Sequence, residues 1–308
     1  MAFVDPSAAD ALNWLTGMRQ AIGQSSYKGV VAYLKDKEVQ SFQIFHSTMD
    51  GVERERLVSM NSPLREVVRS SDKVTCYYPD TKTAFVENKP SKRSMLLELP
   101  EDMAGLAKYY QLSLLGQEYV ARRLSQMVSI QPRDDFRYAR RLWVDMDSKL
   151  PLKFELLDGQ GQVIEQMVFT SLEVAPAIPA HDLEASTQVD TLNWQVGQRE
   201  VLPPSSLNWT LENVPEGFRM ISYTRLKRAG VEQPVEHLLL SDGFSSVSIY
   251  IAENKGEAVK VHPSRIGAIN AHSRKIGGYL VTVMGEVPFK TVHVIARGIR
   301  HQETPDHD

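Results

Sequence analysis

A single cysteine, Cys76, stands in 308 residues, which excludes an intrachain disulfide and any zinc site assembled from cysteine pairs. Its surroundings read as a strand, with no flanking base or helix N-terminus to lower its pKa, so a buried, inert thiol is expected. Long apolar runs are equally scarce. The stretch Val281-Thr282-Val283-Met284 already contains a polar break and falls far short of the ~20 residues that a membrane-spanning helix needs. There is no Gly-x-Ser-x-Gly elbow and no glycine-rich phosphate loop; Gly159-Gln160-Gly161 suits a hairpin turn better than a dinucleotide fingerprint. The histidines, among them His46, His181, His237, His262, His272 and His293, are scattered singly, with no pair four apart to place two ligands on one helix face. No metal and no cofactor is therefore expected. The carboxylate pair Asp134-Asp135 follows Pro132 and reads as solvated turn, not as an acid/base couple. With no catalytic constellation in view, the reading is of a binding protein and not an enzyme.

Excess charge is also missing. Thirty-five Lys and Arg against 38 Asp and Glu leave a formal charge of −3, which argues against a general nucleic-acid binder, since phosphate contacts require clustered basic residues. The balance is uneven: from Arg219 to His301 there are 12 Lys and Arg against six Asp and Glu. Such a basic C-terminal part fits an acidic protein segment or an anionic lipid head group as well as an ordinary solvated surface.

What the chain does contain is ordinary for a folded protein, with 42% apolar and 24% charged residues, and its length fits about two domains of ~150 residues. Apolar residues at Ala8, Leu12, Leu15, Met18 and Ile22 predict an amphipathic helix over 7–22 with its cap near Ser7. The period then changes. Short segments rich in Val, Tyr, Phe and Ile at 30–34, 39–46, 53–60, 66–69, 74–78 and 84–87 predict an antiparallel meander. The apolar stretch Met95-Leu96-Leu97-Glu98-Leu99-Pro100 precedes a predicted helix over 101–110. Strands are then expected at 119–131, 138–146, 152–157 and 163–172, with Asp158-Gly159-Gln160-Gly161 turning a hairpin. A sheet of so many strands must close, curl over something or leave edges exposed.

From 174 to 207 the pattern breaks into Ala, Pro, Ser, Thr and acidic residues, which marks a linker. Beyond it, strands are expected at 219–228, 235–240, 247–252 and 279–285, and helical spacing runs over 289–300. The expected division is a large domain over 5–175, a linker over 176–205 and a small domain over 206–301, with a frayed tail after 304.

Several segments together resemble the RseB/MucB family, the periplasmic regulators of the bacterial envelope-stress sigma factor. They are Ser62-Pro63-Leu64-Arg65-Glu66-Val67-Val68-Arg69, then Trp143-Val144-Asp145-Met146-Asp147-Ser148-Lys149-Leu150-Pro151-Leu152, and Leu156-Leu157-Asp158. In the second half the likeness continues through Pro215-Glu216-Gly217-Phe218, Ser241-Asp242-Gly243-Phe244, Ser246-Val247-Ser248 and Thr282-Val283-Met284-Gly285-Glu286-Val287-Pro288. Any one motif is weak, but the ordered set spans nearly the whole chain. The resemblance implies a mostly β, α+β protein: a half-open antiparallel β-barrel similar to LolA and LolB with helices at its mouth, then a smaller αβ domain with an antiparallel sheet. It also implies a role, binding the periplasmic part of an RseA/MucA-type anti-sigma factor, shielding it from the site-1 protease, and letting go when a lipid or lipopolysaccharide fragment is sensed. The periplasm is the implied location, and the absence of a signal-peptide pattern at Met1-Ala2-Phe3-Val4-Asp5 is read as a trimmed mature chain. Leu64 departs from the family's usual Arg, so a basic contact there is not carried over.

For the lipid the candidates are Met95, Leu96, Leu97, Leu99, Tyr138, Leu142, Trp143 and Met146, since an acyl pocket needs apolar lining and a cover; core filling is the competing reading. On the strand over 138–146, Leu142 and Trp143 should face opposite ways by the period of two. For the partner the candidates are Phe218, Arg219, Arg225, Phe244, Tyr250 and Arg274, aromatic anchors combined with arginines. A sheet edge that adds a strand from the partner is a further option, and a homo-oligomer is left open. The competing function is a lipoprotein or lipid carrier of the LolA type, for which the second domain would be superfluous.

Overall fold

Ala11, Leu15, Met18 and Ile22 recur at helical spacing and are all buried, and that stripe explains why a helix forms at the N-terminus. In the computed structural model this helix, α1, spans Pro6–Gln24, opening one residue before Ser7 with proline in its first turn, where the missing N–H costs nothing. The structure describes residues 6–36, 38–49, 51–88, 96–97, 99–100, 102–175, 177–189, 194–227, 233–254 and 263–302. The chain divides into two compact units, one of residues 1–134 and 138–197, the other of 135–137 and 198–308.

In the first unit β1 (Tyr27–Lys35), β2 (Glu38–Met49), β3 (Val52–Ser59), β4 (Glu66–Arg69), β5 (Lys73–Tyr78) and β6 (Thr83–Asn88) form the predicted meander. Then come β7 (Tyr110–Val120), β8 (Arg123–Pro132), β9 (Ala139–Asp145), β10 (Pro151–Leu157) and β11 (Val163–Val174). Each strand pairs antiparallel with the next within its group, and β1 pairs antiparallel with β11. The order across the sheet is therefore β7-β8-β9-β10-β11-β1-β2-β3-β4-β5-β6. Among the described residues β6 and β7 do not pair with each other, so the sheet is a half-open barrel, as the resemblance implied. α1 lies against β7.

Two expectations are corrected here. The helix over 101–110 is a short 3-10 stretch, Ala104–Lys108, and Tyr110 already opens β7. Its apolar residues occur at helical spacing by accident, because Leu106 and Tyr110 are buried from different elements. The single strand over 119–131 is the end of β7, a two-residue turn and β8. Val120 pairs with Arg123, and Ala121 and Arg122 sit at φ +50° and +63°, the backbone of a type I′ hairpin that Asn-Gly usually announces. The β2–β3 and β10–β11 hairpins have conventional chemistry, with Gly51 and Gly161 both at φ +76° and Asp158 Oδ1 accepting from the backbone N–H groups of Gln160 and Gln162.

Segment 176–205, expected as a linker, contains a 3-10 stretch (Ala180–Leu183) and β12 (Gln195–Val201). After β13 (Trp209–Leu211), the second unit continues through β14 (Arg219–Lys227), β15 (Val235–Ser241), β16 (Ser246–Glu253), β17 (Ser264–Ile266), β18 (Ile269–Ile276) and β19 (Tyr279–Gly285), all paired antiparallel in the order β12-β14-β15-β16-β19-β18-β17. The helix α2 spans Phe289–Arg297. It stops short of the predicted 300, because after Gly298 the chain turns into β20 (Ile299–His301), which pairs with β13. One face of this sheet meets α2: Leu238, Leu240, Val247, Ile249, Ile251, Val281 and Val283 pack with Val292 and Ile295.

Candidate functional site

Residues paired directly across an antiparallel ladder share a face, and faces alternate along each strand. Leu142 pairs with Val128 and Phe154, Phe154 with Met167, Met167 with Tyr33, and Tyr33 with Gln40. Alternation along β2 leads from Gln40 to Ile44 and His46. His46 Nδ1 donates to the carbonyl of Ser25, 2.7 Å away, and Ser25 directly follows α1. Leu142 thus belongs to the helix side of the sheet, where it, Val128 and Ile44 are fully buried.

Trp143 faces the other way. It pairs with Met127 and Lys153, packs with Val120, Met127 and Leu152, donates its indole N–H to Glu118 Oε2 at 2.8 Å and lies 4.1 Å beneath Lys153 Nζ. Tyr138 is buried just before β9, and Met146 is half-buried just after it. Leu96, Leu97 and Leu99 are half-buried, next to Pro100, whose carbonyl accepts from Arg19 of α1; Met95 lies outside the described residues. The described lipid candidates therefore do not line one surface: Leu142 fills the helix side, whereas Trp143 anchors a small cluster on the outside.

That outer face holds groups that the sequence reading passed over. Phe45 packs with Ile178 and Leu183, so residues 177–187 lie across β2 and β3 like a strap. Glu66 is 1% exposed and accepts from Arg56 Nε at 2.7 Å, from Ser186 N at 2.8 Å and from Thr187 N at 2.7 Å. Burial pushes the Glu66 carboxyl up, but the bonds from Thr187, Ser186 and Arg56 outweigh it and hold it below the usual carboxylate range. The sequence signal was available: a glutamate that opens a four-residue strand directly before Val67 and Val68. Cys76, expected to be buried, is half-buried on β5 between Val67 and Phe85.

In the second unit the partner candidates have divergent surroundings. Phe218 is a core residue, and the Arg137 guanidinium sits 4.8 Å from its ring. That guanidinium also pairs with Asp242, both side chains being fully buried, and donates to the carbonyl of Glu216. Arg274 Nη1 donates to the carbonyls of Ala296 and Arg297 and so caps the C-terminus of α2, where a cation is favoured. Arg225 pairs with Glu236 at 3.6 Å. Tyr250 stacks on His237, centroids 4.5 Å apart, on the sheet face away from α2. Phe244 is half-buried in the turn organised by Asp242 Oδ1, and Arg219 is exposed at the start of β14. Asp135 is exposed and paired with Lys290, as a solvated turn residue should be.

Among the described residues, one group of His and carboxylate side chains comes within range of a shared cation. Ligand atoms of His46, Glu53 and Glu55 lie within 4.8 Å of one another. The absence of an i,i+4 histidine pair had concealed it, since the hairpin register, and not a helix, makes this cluster.

Residues 10–187 match the MucB/RseB N-terminal domain and residues 203–300 the MucB/RseB C-terminal domain. The chain belongs to the MucB/RseB family. It is 30% identical over 305 residues to the Sigma factor AlgU regulatory protein MucB of Pseudomonas aeruginosa, covering 97% of this chain and 94% of that one. To the Sigma-E factor regulatory protein RseB of Escherichia coli it is 25% identical over 93% of this chain and 89% of the relative. Two solved structures agree in fold. MucB in complex with MucA(peri) has a TM-score of 0.75, and MucB alone 0.72, each 28% identical and covering 96% of this chain and all of the other. The MucB/RseB relatives are named as regulators of sigma factors, which accords with a binding protein.

Proposed function

We propose that this chain is a negative regulator of envelope-stress signalling that holds the periplasmic part of a MucA/RseA-type anti-sigma factor, shields it from the first proteolytic cut, and releases it in response to a lipid or lipopolysaccharide signal. The observation that carries the reading is the likeness, over 96% of this chain at a TM-score of 0.75, to a MucB structure solved with MucA(peri) bound. The chain acts in the periplasm and performs no chemistry. In this reading residues 5–175 are the lipid-responsive part and residues 206–301 the partner-binding part, joined by 176–205. Of the partner candidates Phe218 is buried, whereas Arg219, Arg225, Phe244, Tyr250 and Arg274 keep accessible surface. The alternative, a lipoprotein or lipid carrier, is disfavoured by the match of residues 203–300 to the MucB/RseB C-terminal domain.

The test is calorimetric titration of the chain with the periplasmic segment of the anti-sigma factor from the same genome. Saturable binding at micromolar concentration or tighter, weakened by added lipopolysaccharide, is expected. No binding at that concentration refutes the role, and binding indifferent to lipopolysaccharide refutes the release signal.

A further inference from the structure

The β2–β3 hairpin brings together an imidazole and two carboxylates from residues far from any helical metal motif. Met49 pairs with Val52 at the turn, and that register sets His46 opposite Glu55; Glu53, two residues from Glu55, presents its side chain on the same face. His46 and Glu55 are fully buried, whereas the Glu53 side chain is 35% exposed, so the cluster has a polar wall inside and an approach from solvent. His46 Nε2 stands 3.3 Å from Glu53 Oε1, and all three ligand atoms fall within 4.8 Å. Four-coordinate zinc, with bonds of about 2.0–2.1 Å, has ligand-to-ligand edges of about 3.3 Å. The first pair already has that spacing, and a carboxylate torsion closes the rest.

Two independent features point inward. His46 Nδ1 donates to the Ser25 carbonyl at 2.7 Å, which fixes the ring and leaves Nε2 to face the carboxylates. A second bond of this kind is what ligating histidines ordinarily have. Tyr27, fully buried and stacked on His46 with centroids 4.9 Å apart, has a hydroxyl with no hydrogen-bond partner. That buried hydroxyl is a donor left unpaired beside the cluster. Arg69 reaches Glu55 Oε2 at 3.4 Å, which holds that carboxylate in place at the inner wall of the cluster.

We propose that His46, Glu53 and Glu55 bind one first-row divalent cation of the zinc class, with the Tyr27 hydroxyl directed at its remaining water. One imidazole with carboxylates suits zinc better than calcium, which takes six to eight oxygens. The cation ties the end of α1 to the β2–β3 hairpin.

The test is titration of the untagged full chain with zinc chloride at pH 7, followed by calorimetry and by thermal unfolding with and without a chelator. One saturable site with a Kd of about 10 µM or below is expected, with a zinc-dependent rise in Tm that the chelator reverses. In Glu53→Gln, whose partly exposed side chain makes misfolding a minor risk, affinity should fall at least tenfold and the Tm rise should vanish while the far-UV circular dichroism is unchanged; His46→Gln should do the same if it folds. Calcium and magnesium should bind at least tenfold more weakly. No saturable zinc binding below about 100 µM, or equal affinity in the chain and in Glu53→Gln, overturns the proposal.

Discussion

Replacing Glu66 with Gln removes the charge that pins the 177–187 strap to the outer face of the large sheet. The carboxylate accepts from Arg56 Nε, Ser186 N and Thr187 N at 2.7–2.8 Å. The amide keeps one accepting oxygen and turns an N–H group toward donors. Hydrogen bonds to charged groups contribute about 1.5–3 kcal/mol each, and removing one member of a buried ion pair costs about 3–5 kcal/mol. Arg56 retains the carbonyl of Asp182 and the face of Phe45, which places the expected loss at the low end, about 3 kcal/mol. Equilibrium urea unfolding followed by circular dichroism measures it. The folded carboxyl titrates below its unfolded value, so its contribution is present above pH ~4.3 and is lost as pH falls through the lower folded value. The gap between the two proteins should therefore be full at pH 7 and shrink below pH ~4. A loss under about 1 kcal/mol at pH 7, the value of an exposed pair, or a gap that does not close in acid, would refute the argument.

Arg137→Met strands Asp242 without its fully buried partner and should destabilise the second unit by about 3–5 kcal/mol, read as a lower Tm in calorimetry. Gly29→Ala puts a Cβ 2.4 Å from the Ser171 carbonyl and 2.9 Å from the Phe169 ring, an overlap that should cost about 1–3 kcal/mol by urea unfolding. His272 is held below its ordinary pKa by burial, then by His293 and Arg274, so the fold prefers the neutral ring and loses stability as pH drops below ~6.5. In His272→Phe the decline in Tm between pH 7 and pH 5.5 should be smaller than in the parent chain.

Where alternation is clean, the strands were legible: Val247, Ile249 and Ile251 are buried and Ser246, Ser248 and Tyr250 are not, which is the pattern of a half-buried strand. The Ala121-Arg122 turn was illegible because both residues adopt positive φ without the Gly or Asn that normally permits it. β7 was misread for a related reason, since Leu106, Tyr109 and Tyr110 mimic helical spacing across a change of element. The family was legible through the order of its motifs. The sites were less so. Trp143 and Arg274 satisfy composition rules for a binding surface, yet one holds an outer cluster together and the other caps α2. Residues 46, 53 and 55 become neighbours only once the hairpin register is known, and register depends on where the turn falls.

The strand order of the large sheet has a kinetic consequence. Among the pairings of β1 to β11 with one another in the described residues, each joins strands consecutive in sequence except β1 with β11, which joins residues 27–35 to 165–174. Two meanders, one of six strands and one of five, can each zip from local hairpins, while the β1–β11 seam waits for the slow closure of a chain segment of more than a hundred residues. Gly29 and the register shift between Val30 and Val31 lie in that seam, so substitutions there should slow folding more than equally destabilising ones in either meander.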